Sequence, residues 1–103
     1  MPEFILDPVA GDELWEIWRF IARDNPDAAT RVVEAAYETF CQLAVNPGLG
    51  RPRTFPEQLP GIRSWRITGF ENYLIFYRNA GDTVQIIHVC HGARDLNALL
   101  GGG

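Results

Sequence analysis

The chain reads as an α+β sandwich: an N-terminal strand, then an antiparallel helical hairpin packed on one face of an antiparallel β-sheet. Three observations carry that reading. Two segments with helical apolar spacing are joined by only two or three residues. A stretch with four prolines and two glycines, Pro47 to Pro60, then interrupts the chain. Three strand-like runs follow it, with glycine in both of their short connections. The order is β-α-α-β-β-β-α, in one domain over residues 1–100, with Gly101 to Gly103 as a flexible tail.

Each element has its own signal. Glu3-Phe4-Ile5-Leu6 is a short β-prone run that Asp7-Pro8 stops, and the same pair opens a helix, with Asp7 as cap and Pro8 at the first position. Leu14, Ile17, Trp18 and Ile21 form one apolar stripe, with Trp15 and Phe20 on opposite flanks. Asp24-Asn25-Pro26 ends this helix and starts a second, capped by Asn25 and closed by Pro47-Gly48. Its apolar arc, Ala29, Val32, Ala36, Phe40 and Leu43, is widened by Val33, Tyr37 and Ala44. That arc is broader than one packing partner needs.

The strand runs are Ile62 to Ile67, Asn72 to Arg78 and Thr83 to Val89. Gly69 and Ala80-Gly81-Asp82 punctuate them into a three-strand antiparallel meander. The last strand, rich in Ile86, Ile87, Val89 and Cys90, is the most apolar and is expected at the centre. A short helix from Leu96 to Leu100, capped by Asp95, completes the order.

Composition narrows the chemistry. Of 103 residues, nine are basic and every one is arginine. Without lysine, Schiff-base catalysis, a P-loop phosphate grip and a lysine general base are excluded. A net charge of −4 argues against broad, charge-driven nucleic-acid binding. The charge is split: residues 1–50 hold three arginines and nine acids, residues 51–103 six arginines and four acids. The N-terminus lacks a basic-then-apolar signal pattern and no apolar run is long enough for a membrane span, so cytoplasmic residence is the expectation. Cys41 and Cys90 are then expected reduced and buried. No metal-ligand spacing is present. His88 and His91 stand three apart on a strand and point to opposite faces, so no metal or other cofactor is expected.

Arginines interleaved with aromatics are the more informative grouping. Alternation puts Arg63 and Trp65 on one face of their strand and Arg66 on the other; Tyr73 and Tyr77 share a face opposite Arg78. These arginines either pair with the acidic helices or form a site that grips phosphate or a protein carboxylate. As a nuclease the set is incomplete: arginine neutralises phosphorane charge, but tyrosine or histidine would have to move the protons.

Several patterns, taken jointly, resemble the ParE toxins of bacterial toxin–antitoxin modules, within the wider RelE/ParE superfamily. They are Leu14-x-x-Ile17-Trp18-x-x-Ile21-Ala22, Ala28-Ala29 and Leu43-Ala44-x-x-Pro47-x-Leu49-Gly50-Arg51-Pro52. Gly61-Ile62-Arg63-Ser64, Tyr73-x-Ile75-Phe76-Tyr77-Arg78 and His88-Val89-x-His91-Gly92-Ala93-Arg94-Asp95-Leu96 complete the set. The resemblance implies a cofactor-free, non-enzymatic poison that binds DNA gyrase and traps its cleaved-DNA complex. It also implies silencing by a ParD-type antitoxin, with DNA contacted only through that antitoxin and no membrane partner. RelE-type relatives cut mRNA on the ribosome with lysines, arginines and a tyrosine. That alternative here rests on Arg63, Arg66, Arg78, Tyr77 and His91; a non-toxic repressor component is a third.

The antitoxin surface is expected at Trp15, Trp18, Phe20, Val33, Tyr37 and Phe40, where apolar surface exceeds what one sheet can cover; the bland reading is a snorkelling core rim. The target or the antitoxin tail is expected on the sheet at Arg63, Trp65, Arg66, Tyr77, Arg78, His91 and Arg94. No catalytic and no metal residue is assigned.

Overall fold

The computed structural model describes residues 3–53 and 61–92. Strand β1 (Glu3–Leu6) leads into helix α1 (Pro8–Ala22) and helix α2 (Pro26–Val45). Strands β2 (Arg51–Pro52), β3 (Ile62–Ile67), β4 (Phe70–Ala80) and β5 (Thr83–His91) follow. The expected last helix, the glycine tail and Arg94 lie outside the described residues.

The punctuation works largely as read. Pro8 and Pro26 occupy first helical turns, and the Asn25 side chain accepts from the Ala28 N–H at 3.1 Å. Asp7 stands at the cap position of α1, but its carboxylate accepts instead from Gln85 Nε2 at 2.9 Å, tying the helix start to β5. Gly69 and Gly81, both with positive φ, form the tight β3–β4 and β4–β5 connections.

The sheet order is β1-β5-β4-β3-β2. Two expectations need correction. The sheet is mixed, because β1 runs parallel to β5, pairing Glu3 with Thr83 through Leu6 with Ile86. The intervening helical hairpin and meander make the long connection that parallel pairing requires. The middle strand is β4, not β5: β2 extends the far edge through an Arg51–Ser64 and Pro52–Arg63 pairing. Two residues are too few to read as a strand from pattern alone.

The helices cover one face. Leu14 and Ile17 of α1 and Val32, Ala36, Phe40 and Leu43 of α2 pack against Ile67, Ile75, Tyr77, Val84, Ile86 and Val89. On the opposite face Ile62, Phe76 and Cys90 form a second buried cluster with Leu74 and Ile87. Cys90 is buried as expected, whereas Cys41 is exposed on the outer side of α2. Thr39, which carries no apolar signal, is fully buried. Its hydroxyl donates to Ala35 O at 2.7 Å and accepts from the Thr68 N–H at 3.1 Å, joining α2 to the β3–β4 turn.

Candidate protein-docking groove and arginine-bearing sheet

The groove between the helices grows out of the wide apolar arc of α2. Trp15 and Trp18 stack with ring centroids 5.2 Å apart and planes 5° from parallel. The Trp18 indole N–H reaches the Thr30 hydroxyl of α2 at 3.4 Å, which sets the ring across the hairpin. With Gly11, Leu14, Val33 and Tyr37 these rings line a groove of about 300 Å³. Trp15 is 56% and Tyr37 43% exposed, so the groove is apolar and open to water.

Two expected members belong elsewhere. Phe40 is 0% exposed, its ring 5.2 Å from Phe4 and 5.3 Å from Tyr37, so it supports the groove from within the core and offers no docking surface. It falls on the centre of the α2 arc, which faces the sheet. Phe20 lines a different cleft of about 430 Å³ with Val9, Asp12, Glu13, Glu16, Ile17, Tyr73 and Val89. Five residues along a helix rotate a side chain by about 140° from Trp15, too far to share one groove.

The sheet set also divides. Tyr77 is fully buried on the helix side, where its hydroxyl donates to Pro47 O and accepts from the Gly50 N–H, both at 2.7 Å. Burial pushes its pKa above the usual tyrosine value, with the Gly50 hydrogen bond and Arg63 opposing. Expected on an open face, Tyr77 instead anchors the loop after α2. Arg63 Nη1 donates to Gly50 O at 2.6 Å and serves the same loop. Arg78 Nε donates to Gln85 Oε1 at 2.9 Å, and Gln85 passes the contact to Asp7. Trp65 packs against the core, with the Arg66 guanidinium 5.0 Å from its ring centroid. Arg66 also faces Glu71 at 3.4 Å. His91 meets Tyr73 edge to face at 5.5 Å. Arg66 pairs with Leu74 and Arg78 with Ile62, at opposite ends of the β3–β4 ladder. The six of these residues that are described therefore do not converge on one site.

One interaction had no sequence signal. Glu13 of α1 accepts from the Val89 N–H at 3.0 Å and meets His88 Nδ1 at 3.1 Å. The hydrogen bond to Glu13 raises the His88 pKa, burial opposes it, and the charges of Glu13 and Asp7 add to the rise. The partners lie about 75 positions apart, beyond any spacing rule.

No curated protein matches the chain. Among solved structures, one described as the chromosomal ParDE TA system from P. aeruginosa shares the fold with a TM-score of 0.70. It is 22% identical, and the match covers 88% of this chain and 96% of that one. No helix among the described residues is long and apolar enough to cross a membrane. The family model for the ParE toxin of type II toxin–antitoxin system, parDE, matches residues 4–96, nearly the whole length over which the helical hairpin and the sheet were built up above, and the chain belongs to that family.

Proposed function

We propose that this toxin acts by protein binding: it engages DNA gyrase, traps the cleaved-DNA complex, and is held silent by a ParD-type antitoxin seated in the α1–α2 groove. The observation that carries the antitoxin part is the groove itself. Large exposed aromatics beside an apolar trough are the usual anchors of a helix-in-groove interface, and here Trp15 and Tyr37 supply them, with the half-buried Trp18 stacked on Trp15. The likeness to a ParDE system supports a partner of that kind.

The non-enzymatic part is supported by the sheet. The chain has no lysine, and the Tyr77 hydroxyl is committed to Pro47 and Gly50 on the helix side. Arg63 and Arg78 hold backbone and Gln85. A phosphodiester cleavage site would need a proton donor and acceptor beside such arginines.

Two measurements test this. Purified toxin is expected to inhibit gyrase supercoiling and accumulate cleaved DNA; loss of ribosome-bound mRNA with gyrase untouched would overturn the gyrase reading. Trp15→Ala is expected to weaken the affinity for the antitoxin encoded beside it about tenfold or more, the range for truncating an aromatic anchor. An unchanged affinity would move the interface elsewhere.

A further inference from the structure

At the β2–β3 edge three arginines converge on one cleft. Arg51 pairs with Ser64, and the Arg53 N–H donates to Ile62 O at 2.9 Å, so β2 and its continuation run flat against β3. Alternation then places Arg51 and Arg53 on the same face as Ser64 and Arg66. Arg53 Nε donates to Ser64 Oγ at 2.7 Å, which fixes its stem along the sheet. The cleft, about 370 Å³, is lined by these arginines with Leu49, Ser64, Trp65, Glu71 and Leu74. Among the described residues that line it, a single carboxylate, Glu71, opposes three guanidiniums, and it meets Arg66 at the exposed rim.

The charge of this cleft runs against that of the chain. The net −4 is carried by the helical half, so the overall balance conceals a local positive site. We propose that this cleft binds one nucleotide unit of a single-stranded nucleic acid, with its phosphate on Arg51 and Arg53 and its base against the Arg66 guanidinium. The inference stands independently of the gyrase reading. Guanidinium forks suit phosphate and carboxylate alike. The remaining walls decide between them: an acidic side chain would engage the arginines and leave both leucines and the flat face of the Arg66 guanidinium, which lies 5.0 Å from the Trp65 ring centroid, unused, whereas a nucleotide presents a phosphate and a flat apolar base together. The volume lies within the range of about 300–1,000 Å³ that small ligands occupy.

The test is fluorescence anisotropy of the whole chain at low salt with a labelled oligothymidylate. Three competitors accompany it: the same strand carrying abasic sites, a DNA duplex of equal length, and a glutamate-rich peptide. Saturable binding of the oligothymidylate is expected. Arg51→Gln, at an exposed edge position, should weaken it about fivefold and lower the salt slope by about one. Glu71→Gln should strengthen it several-fold, a gain that a damaged fold would not produce. Arg19→Gln, an equal change in net charge on α1, should leave it unaltered. The abasic strand should compete several-fold less well. The proposal fails if the oligothymidylate does not bind, if Arg19→Gln weakens it as much as Arg51→Gln, or if the abasic strand, the duplex or the acidic peptide competes equally well.

Discussion

The two ends of the sheet face the same problem and solve it with opposite charge. At the β1 end, β1 pairs with β5 only through Ile86, and the outer edge of β5 beyond that point would present unpaired backbone. A carboxylate closes it: Glu13 accepts the Val89 N–H and holds His88. At the β2 end the group to be satisfied is a carbonyl, the buried Gly50 O just before β2, and an arginine closes it through Arg63 Nη1. An acid satisfies a donor at one edge and a base satisfies an acceptor at the other. Each contact crosses between the two chain halves: the acid comes from the acidic residues 1–50 and reaches Val89, and the arginine comes from residues 51–103 and reaches Gly50. The surplus defines an acidic cleft around Asp12, Glu13 and Glu16 and a basic one around Arg51, Arg53 and Arg66.

The β2 end is the more tightly built, and substitutions there should cost most. A Cβ at Gly50 would lie 2.6 Å from the Tyr77 hydroxyl and 2.7 Å from the Ser64 carbonyl. Gly50→Ala is expected to destabilise by about 3 kcal/mol, the upper end of overpacking costs, in urea unfolding. Wild-type stability for this variant would mean that the loop shifts freely and that the end is not rigid. Tyr77→Phe keeps the ring but strands the buried Gly50 N–H and Pro47 O, with an expected loss of about 2 kcal/mol. A loss below half of that would show water replacing the hydroxyl.

At the β1 end the effect is smaller and depends on pH. His88 gains its partner on folding and its folded pKa is raised. The stabilisation from this pair is therefore complete below the unfolded histidine value of about 6.5 and is lost as pH rises through the folded value. Glu13→Gln should cost about 1 kcal/mol near pH 6, less at pH 8, and should flatten the stability profile between them. A profile as steep as that of the wild type would place the titrating group elsewhere. Smallest of all, Glu71→Gln should change stability by less than about 0.5 kcal/mol, because its pair with Arg66 is solvent-exposed. A larger loss would make that ion pair part of the fold and weaken the contrast between rim and interior.

The helical hairpin and the meander could be read directly because local chemistry specifies them. Pro8, Pro26 and the Asn25 cap set helix starts; Gly69 and Gly81 accept the positive φ that tight turns demand. The candidate groove was partly visible, since an apolar arc too wide for one sheet is a property of α2 alone. Phe40 was misassigned because periodicity identifies an apolar face without saying which part of it the sheet covers. Tyr77 was misassigned for a related reason. Alternation placed it correctly beside Tyr73 and Ile75, but which face of β4 the helices would choose is a matter of packing.

Arg51 entered only a motif of the family resemblance, and Arg53 carried no signal at all. They sit beside prolines in a stretch that reads as loop, and only pairing with β3 turns them into neighbours of Arg66. The Glu13–His88 contact is of the same kind, made by α1 crossing the end of a strand some 75 positions later. Spacing along the chain accounts for both helices and for β1, β3, β4 and β5, their order and the sign of charge in each half, because backbone preferences and side-chain periodicity act over a few residues. Which strands run parallel, which aromatics are sealed and which arginines share a cleft were settled by burial and edge pairing, interactions that bring together residues far apart in the chain.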